Sequence, residues 1–133
     1  MVFSVLDSGA QLSLENIHNN ADQVQAGDAD FLSTRPWHLR KFVQMLREEL
    51  EKRGRHPAET RRVGVIFDVG HARNNGLVSR ELAPLNWIPE LGGLIQALHV
   101  HQVRLTETGM KNHCVIDSLE GPLINYDGIM ACM

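Results

Sequence analysis

Residues Arg61–Ala72 read RRVGVIFDVGHA, and within them Val63–Asp68 has the composition of a strand. Val63, Val65, Ile66 and Phe67 are the β-branched and aromatic residues that fit a pleated backbone. Apolar residues fall on both alternating faces, as they do where a parallel strand is covered on both sides. The strand ends on an acid, Asp68, and His71 follows three residues later, past Gly70. In parallel α/β architectures the carboxyl ends of the strands converge on one face, where function is carried.

Downstream, a helix is expected over about Glu81 to Leu91, interrupted by Pro84 and Pro89 and closed by Gly92-Gly93. A third strand is expected over Ile95–Val103, IQALHVHQV. It is followed by a polar loop containing Gly109, His113 and Gly121-Pro122, and by a helix start at INYDGIMACM with Asn125 as N-cap. Upstream, Leu39, Phe42, Val43, Leu46 and Leu50 are spaced for one helix face. Glu48 with Lys52 and Glu49 with Arg53 make i,i+4 pairs, and Gly54 is a natural stop. Ser33 or Thr34 is the expected N-cap, with Pro36 in the first turn. Before a polar loop from Ile17 to Leu32, the segment Gln11–Asn16, QLSLEN, alternates as a strand with unlike faces and places Glu15 at its end. Strand, helix, strand, helix, strand predicts an α/β fold of about three βα units on a parallel sheet, a partial (β/α)8 barrel spanning residues 1–133 as one domain.

Composition narrows the function classes. The 133 residues are 43% hydrophobic and 22% charged, with a formal net charge of −3. They lack the basic footprint that binds nucleic-acid phosphates or anionic lipids, so a nucleic-acid partner is not expected. Cys114 and Cys132 form neither a disulfide framework nor paired zinc-ribbon spacing, which fits a reducing cytoplasm. MVFSVL is too short for a signal-peptide core, and no apolar run approaches membrane-spanning length.

Four ligand-type residues fall at the ends of the three strands: Glu15, Asp68 with His71, and His99. Each alone has a plainer reading, as a turn residue or a satisfied core histidine. Their recurrence at every strand end favours a site for a divalent metal such as Mn²⁺ or Zn²⁺, since carboxylates and neutral imidazoles are its natural donors. His18, His38 and His56 read as solvated surface, and Trp37 and Trp87 as packing residues near helix starts.

In LSLEN, VGVIFDVGHA and ALHVHQ, taken in that order, the chain resembles the xylose-isomerase-like barrel superfamily, which includes sugar-phosphate isomerases and epimerases and the endonuclease IV class of apurinic-site nucleases. The resemblance implies metal ligation by Glu15, Asp68, His71 and His99, catalysis by Glu15 and His71, and substrate contacts from His101 and, through the looser match HCVIDSLEGPLINY, from His113. Gln102 stands where the family has an acid, and Lys111 where the nucleases have an aspartate. A whole barrel needs about 250 residues, so the chain reads as a C-terminal-half piece without the early strands or the final glutamate.

The expected activity is isomerisation or epimerisation of a sugar-like hydroxy-carbonyl compound through a metal-stabilised ene-diolate. Alternatives are a metal-dependent phosphodiesterase acting on apurinic sites and an inactive fragment. With two open sheet edges, either homo-oligomerisation or a complementing chain is expected.

Overall fold

The computed structural model describes residues 2–18, 35–75, 80–82, 84–107, 109–116 and 124–133. Helix α1 (Val2–Asp7) leads into β1 (Leu12–Glu15). The long helix α2 (Pro36–Lys52) and the single turn α3 (Pro57–Thr60) precede β2 (Val63–Asp68). A short hairpin of β3 (Arg73–Asn75) and β4 (Arg80–Leu82) is followed by α4 (Pro84–Leu91). A 3-10 turn at Gly92–Leu94 then enters β5 (Ile95–His99), and a second hairpin, β6 (Gln102–Thr106) with β7 (Gly109–Cys114), precedes α5 (Tyr126–Ala131).

The three expected parallel strands are present, in the order β1-β2-β5. Glu15 pairs with Ile66, and Asp68 with His99, so the ends of all three strands lie side by side. The fold is therefore mixed α/β with a three-stranded parallel sheet; among the described residues the sheet does not close into a barrel.

Pleating decides what each face does. Val63, Val65 and Phe67 of β2 are fully buried beside Leu39, Val43 and Leu50 of α2 and Trp87, Ile88 and Leu91 of α4. The Phe67 and Trp87 rings stack at 6.1 Å, so Trp87 is a packing residue, as expected. The opposite face carries Gly64, Ile66 and Asp68. Gly64 is required there: a Cβ would press on Gln96 and lie 2.7 Å from the Leu94 carbonyl.

Local chemistry sets the helix limits. Ser33 and Thr34 lie outside the described residues. Helix α2 starts at Pro36 behind Arg35, which makes no side-chain cap. At its end Gly54 adopts φ 86°, while Gly54 N–H donates to Glu51 O and Arg55 N–H to Leu50 O, a Schellman closure that only glycine enters without strain. Asn125 caps α5 as expected, its Oδ1 accepting from Gly128 N–H at 3.0 Å. No helix among the described residues is long and apolar enough to cross a membrane.

Three expectations are corrected. The helix expected from about Glu81 starts at Pro84, because residues 80–82 pair antiparallel with 73–75 and proline suits a first helical position, where no N–H partner is needed. The strand expected to run from Ile95 to Val103 ends at His99, and the chain resumes as β6 in a different sheet. The first part of the polar stretch after it is strand and not loop, residues 109–114 pairing antiparallel with 102–106, while Gly121-Pro122 lie outside the described residues. This break governs the site.

Candidate metal centre

Asp68 is fully buried at the end of β2, and its two carboxylate oxygens have opposite surroundings. Oδ1 accepts from Gly70 N–H and His71 N–H, both at 2.9 Å, and lies 3.0 Å from His101 Nε2. Three donors saturate one carboxylate oxygen. Oδ2 is buried and has no hydrogen-bond partner among the described residues. It nonetheless lies 3.0 Å from His99 Nδ1 and 3.2 Å from His71 Nδ1.

The position of Asp68 is fixed from β1. The Asn16 side chain, fully buried, donates from Nδ2 to Asp68 O at 2.9 Å and accepts from Asp68 N–H at its Oδ1 at 2.7 Å. It thus continues the β1–β2 ladder one residue beyond Glu15 with side-chain groups. The Asn16 carbonyl oxygen lies 3.2 Å from His71 Nδ1. Because Nδ1 of His71 faces only acceptors, it carries the ring proton and leaves Nε2 with the lone pair.

Glu15 and His99 form the outer rim. His99 Nδ1 is 3.0 Å from Glu15 Oε1 and equally far from Asp68 Oδ2, a nitrogen between two carboxylates. Two ligands about 2 Å from a tetrahedral ion lie roughly 3.3 Å apart, so these separations suit a cation in place of the shared proton.

Among the described residues, two sets of three ligand atoms lie within 4.8 Å of one another: Asp68, His99 and His113, and Asp68, His71 and His101. Buried Asp and His groups therefore offer places for a metal ion. Glu15 stands outside both sets and reaches the cluster through His99.

Electrostatics follow from these contacts. Burial pushes the Asp68 carboxyl upward, but its electrostatic interactions with His71 and His101 and its hydrogen bonds from the His71 amide and the His101 ring outweigh it and hold the group below its ordinary value. Burial depresses His71 against the pull of Asp68, keeping it neutral and able to ligate. The hydrogen bond that His99 donates to Glu15, aided by the Asp68 and Glu15 charges, raises His99 against the opposing effect of burial.

All six residues singled out in the sequence gather at this end of the sheet: Glu15, Asp68, His71, His99, His101 and His113. Their environments differ. His101 is only 5% exposed and stacks on His113 at 4.4 Å, whereas His113 is exposed.

Sequence reading missed Asn16 and misplaced His18. The His18 ring lies 4.8 Å from that of His71 and is not simply solvated. A signal was present: Glu15-Asn16-Ile17-His18 repeats the strand-end acid and histidine three residues on that Asp68–His71 displays. Gln102, in the place of a family acid, is a buried clamp: its Nε2 donates to Ile124 O at 3.1 Å and its Oε1 accepts from Ile124 N–H at 3.2 Å. No protein-family model, curated protein or solved structure matches this chain.

Proposed function

We infer that this chain provides the divalent-metal centre of an isomerase or epimerase acting on a sugar or related hydroxy-carbonyl compound, in the manner of the xylose-isomerase-like barrels it resembles. The observation that carries the metal reading is the divided Asp68 carboxylate. Three N–H groups fill Oδ1, while Oδ2 is buried, makes no hydrogen bond among the described residues, and lies within 3.2 Å of two imidazole nitrogens. Leaving a buried anionic oxygen unsatisfied is costly, and a cation removes that cost.

Asp68 Oδ2, His99 and His113 would hold the ion, with Glu15 and His71 beside them. A bound divalent ion would supply Lewis acidity, polarising a substrate carbonyl. Glu15, half-exposed at the rim 3.0 Å from His99 Nδ1, would exchange a carbon-bound proton with a substrate arriving from solvent. A net charge of −3 favours this reading over phosphodiester cleavage, which needs contacts to a polyanion.

A partner chain is part of the proposal. Strands β1 and β5 have no neighbour on their outer edges among the described residues, and the sheet face bearing Glu15 and Ala97 is open to solvent. A second copy or a complementing chain would pair those edges.

The test is titration of the chain with Mn²⁺, Zn²⁺ and Co²⁺, followed by solvent deuterium incorporation into a panel of aldoses, ketoses and their phosphates. Stoichiometric binding that is lost in Asp68→Ala and His99→Ala, with metal-dependent exchange on one sugar class, is expected. Binding that survives both substitutions refutes the centre. Metal binding without exchange on any sugar, alone or with a partner, refutes the isomerase reading.

A further inference from the structure

His101 belongs to one of the two possible ligand sets, yet both of its ring nitrogens are engaged. Nδ1 lies 3.1 Å from His113 N–H, which donates to it. A backbone amide has no alternative protonation state, so Nδ1 must present a lone pair. Nε2 lies 3.0 Å from Asp68 Oδ1, an acceptor, and must carry the proton. One neutral tautomer meets both demands. The Gln102 carbonyl oxygen, also 3.1 Å from Nδ1, would require a proton where the amide hydrogen already points, and the amide contact prevails.

Packing removes the ring's freedom to do otherwise. His101 is buried, lies flat against the His113 ring at 20°, and meets His71 and His99 edge-on. A Cβ on Gly70 would collide with the His101 ring, so glycine at 70 is what lets the ring sit over the turn after β2. Tyr126 Oη donates to His101 O at 2.7 Å and anchors the backbone. His113 holds φ 55°, a left-handed conformation costly for a residue with a side chain, and in this conformation its N–H meets His101 Nδ1.

We propose that His101 is a positioning residue and not a metal ligand: fixed as the Nε2–H tautomer by the His113 amide, it fills Asp68 Oδ1 so that the carboxylate meets a cation through Oδ2 alone. This rests on the metal-centre reading and sharpens it. With no lone pair left on His101, the set Asp68, His99 and His113 is the one that binds. Polar partners behind a ligand fix its orientation, and their loss weakens metal affinity about 10–100-fold.

Two experiments decide it. Long-range ¹H–¹⁵N correlation on the metal-free wild-type chain reads each histidine's tautomer directly. His101 is expected to show a protonated Nε2 and a bare Nδ1 at neutral pH; a protonated Nδ1 overturns the proposal whether or not any metal binds. The second is Co²⁺ titration with X-ray absorption counting of imidazoles in wild type, His101→Gln, His101→Ala and His99→Gln. Glutamine still offers an N–H to Asp68 but no imidazole. His101→Gln is therefore expected to bind within about threefold of wild type with an unchanged imidazole count, and His101→Ala about 10–100-fold more weakly. His99→Gln should lose one imidazole. A His101→Gln protein that loses an imidazole, or that weakens as much as His99→Gln, overturns the proposal. Failure of wild type to bind Co²⁺ overturns the metal centre instead, and the tautomer measurement stands by itself.

Discussion

Replacing Asn16 by alanine removes both side-chain hydrogen bonds to the Asp68 backbone, at 2.9 and 2.7 Å, in a fully buried setting. The Asp68 N–H and C=O are left without these partners, and an unsatisfied buried polar group costs about 1–3 kcal/mol. The expected loss is about 2–5 kcal/mol, a large share of the roughly 5–15 kcal/mol that holds a domain together. Urea unfolding of the metal-free protein measures it. Ser13→Ala on the same strand is the control: it removes one partly buried bond to Gln96 at 2.6 Å and should cost about 1 kcal/mol. Asn16→Asp adds a second check, because it keeps the acceptor for Asp68 N–H but turns a carboxylate toward Asp68 O. It should destabilise at neutral pH no less than alanine does. An Asn16→Ala protein within about 0.5 kcal/mol of wild type, the range of ordinary surface changes, would show that the amide does not fasten β1 to β2 and would refute the reasoning.

Other expectations follow from single contacts. Gln102→Glu loses the donor to Ile124 O and buries a carboxylate against that carbonyl, so it should destabilise by at least about 1–3 kcal/mol in chemical unfolding; an unchanged midpoint would contradict the clamp. At position 113, where φ is 55°, glycine should be more stable than alanine by about 1 kcal/mol, with both variants lacking the imidazole proposed as a ligand; equal stability would argue against strain there. Asp68 titrates below its ordinary 3.8 in the folded chain. Its contribution is therefore fully present above about pH 4 and lost as pH falls through the lower folded value. The acid limb of stability against pH should be shallower in Asp68→Asn, and an identical limb would count against the depressed carboxyl. Zn²⁺ at a hundredfold its dissociation constant should raise wild-type stability by about 2.7 kcal/mol. Differential scanning calorimetry would read this as a higher Tm, absent in Asp68→Ala.

The parallel core was legible because its signals are local and redundant. Val63, Val65 and Phe67 alternate with residues of the other face, and five apolar positions of α2 recur at helical spacing, so pattern and burial agree. The hairpin of β6 and β7 was not. Lys111, Asn112 and His113 look like loop residues, and antiparallel pairing at the margin of a fold depends on partners more than on composition. Asn16 was illegible for a related reason: its partner lies 52 residues away, and nothing in Glu-Asn announces which backbone the amide will meet. The Glu15-to-His18 spacing was visible but went unused, because a histidine in a polar stretch reads as solvated until the fold brings His71 beside it.

The same limit explains why His99 and His101 look equivalent in sequence and are not in the fold. In one continuous strand, residues two apart point to the same face, and the pair in HVH would present two like imidazoles to one site. The strand instead ends at His99, which stays in register with Asp68 and faces Glu15. After Val100 the chain leaves the sheet, and His101 turns beneath the carboxylate, where the His113 amide and Tyr126 hold it. A two-residue break thus separates the histidine able to offer a lone pair to an ion from the one whose lone pair is already spent. The division of labour between the oxygens of Asp68 follows that separation: His101 meets Oδ1 and His99 meets Oδ2, each at 3.0 Å.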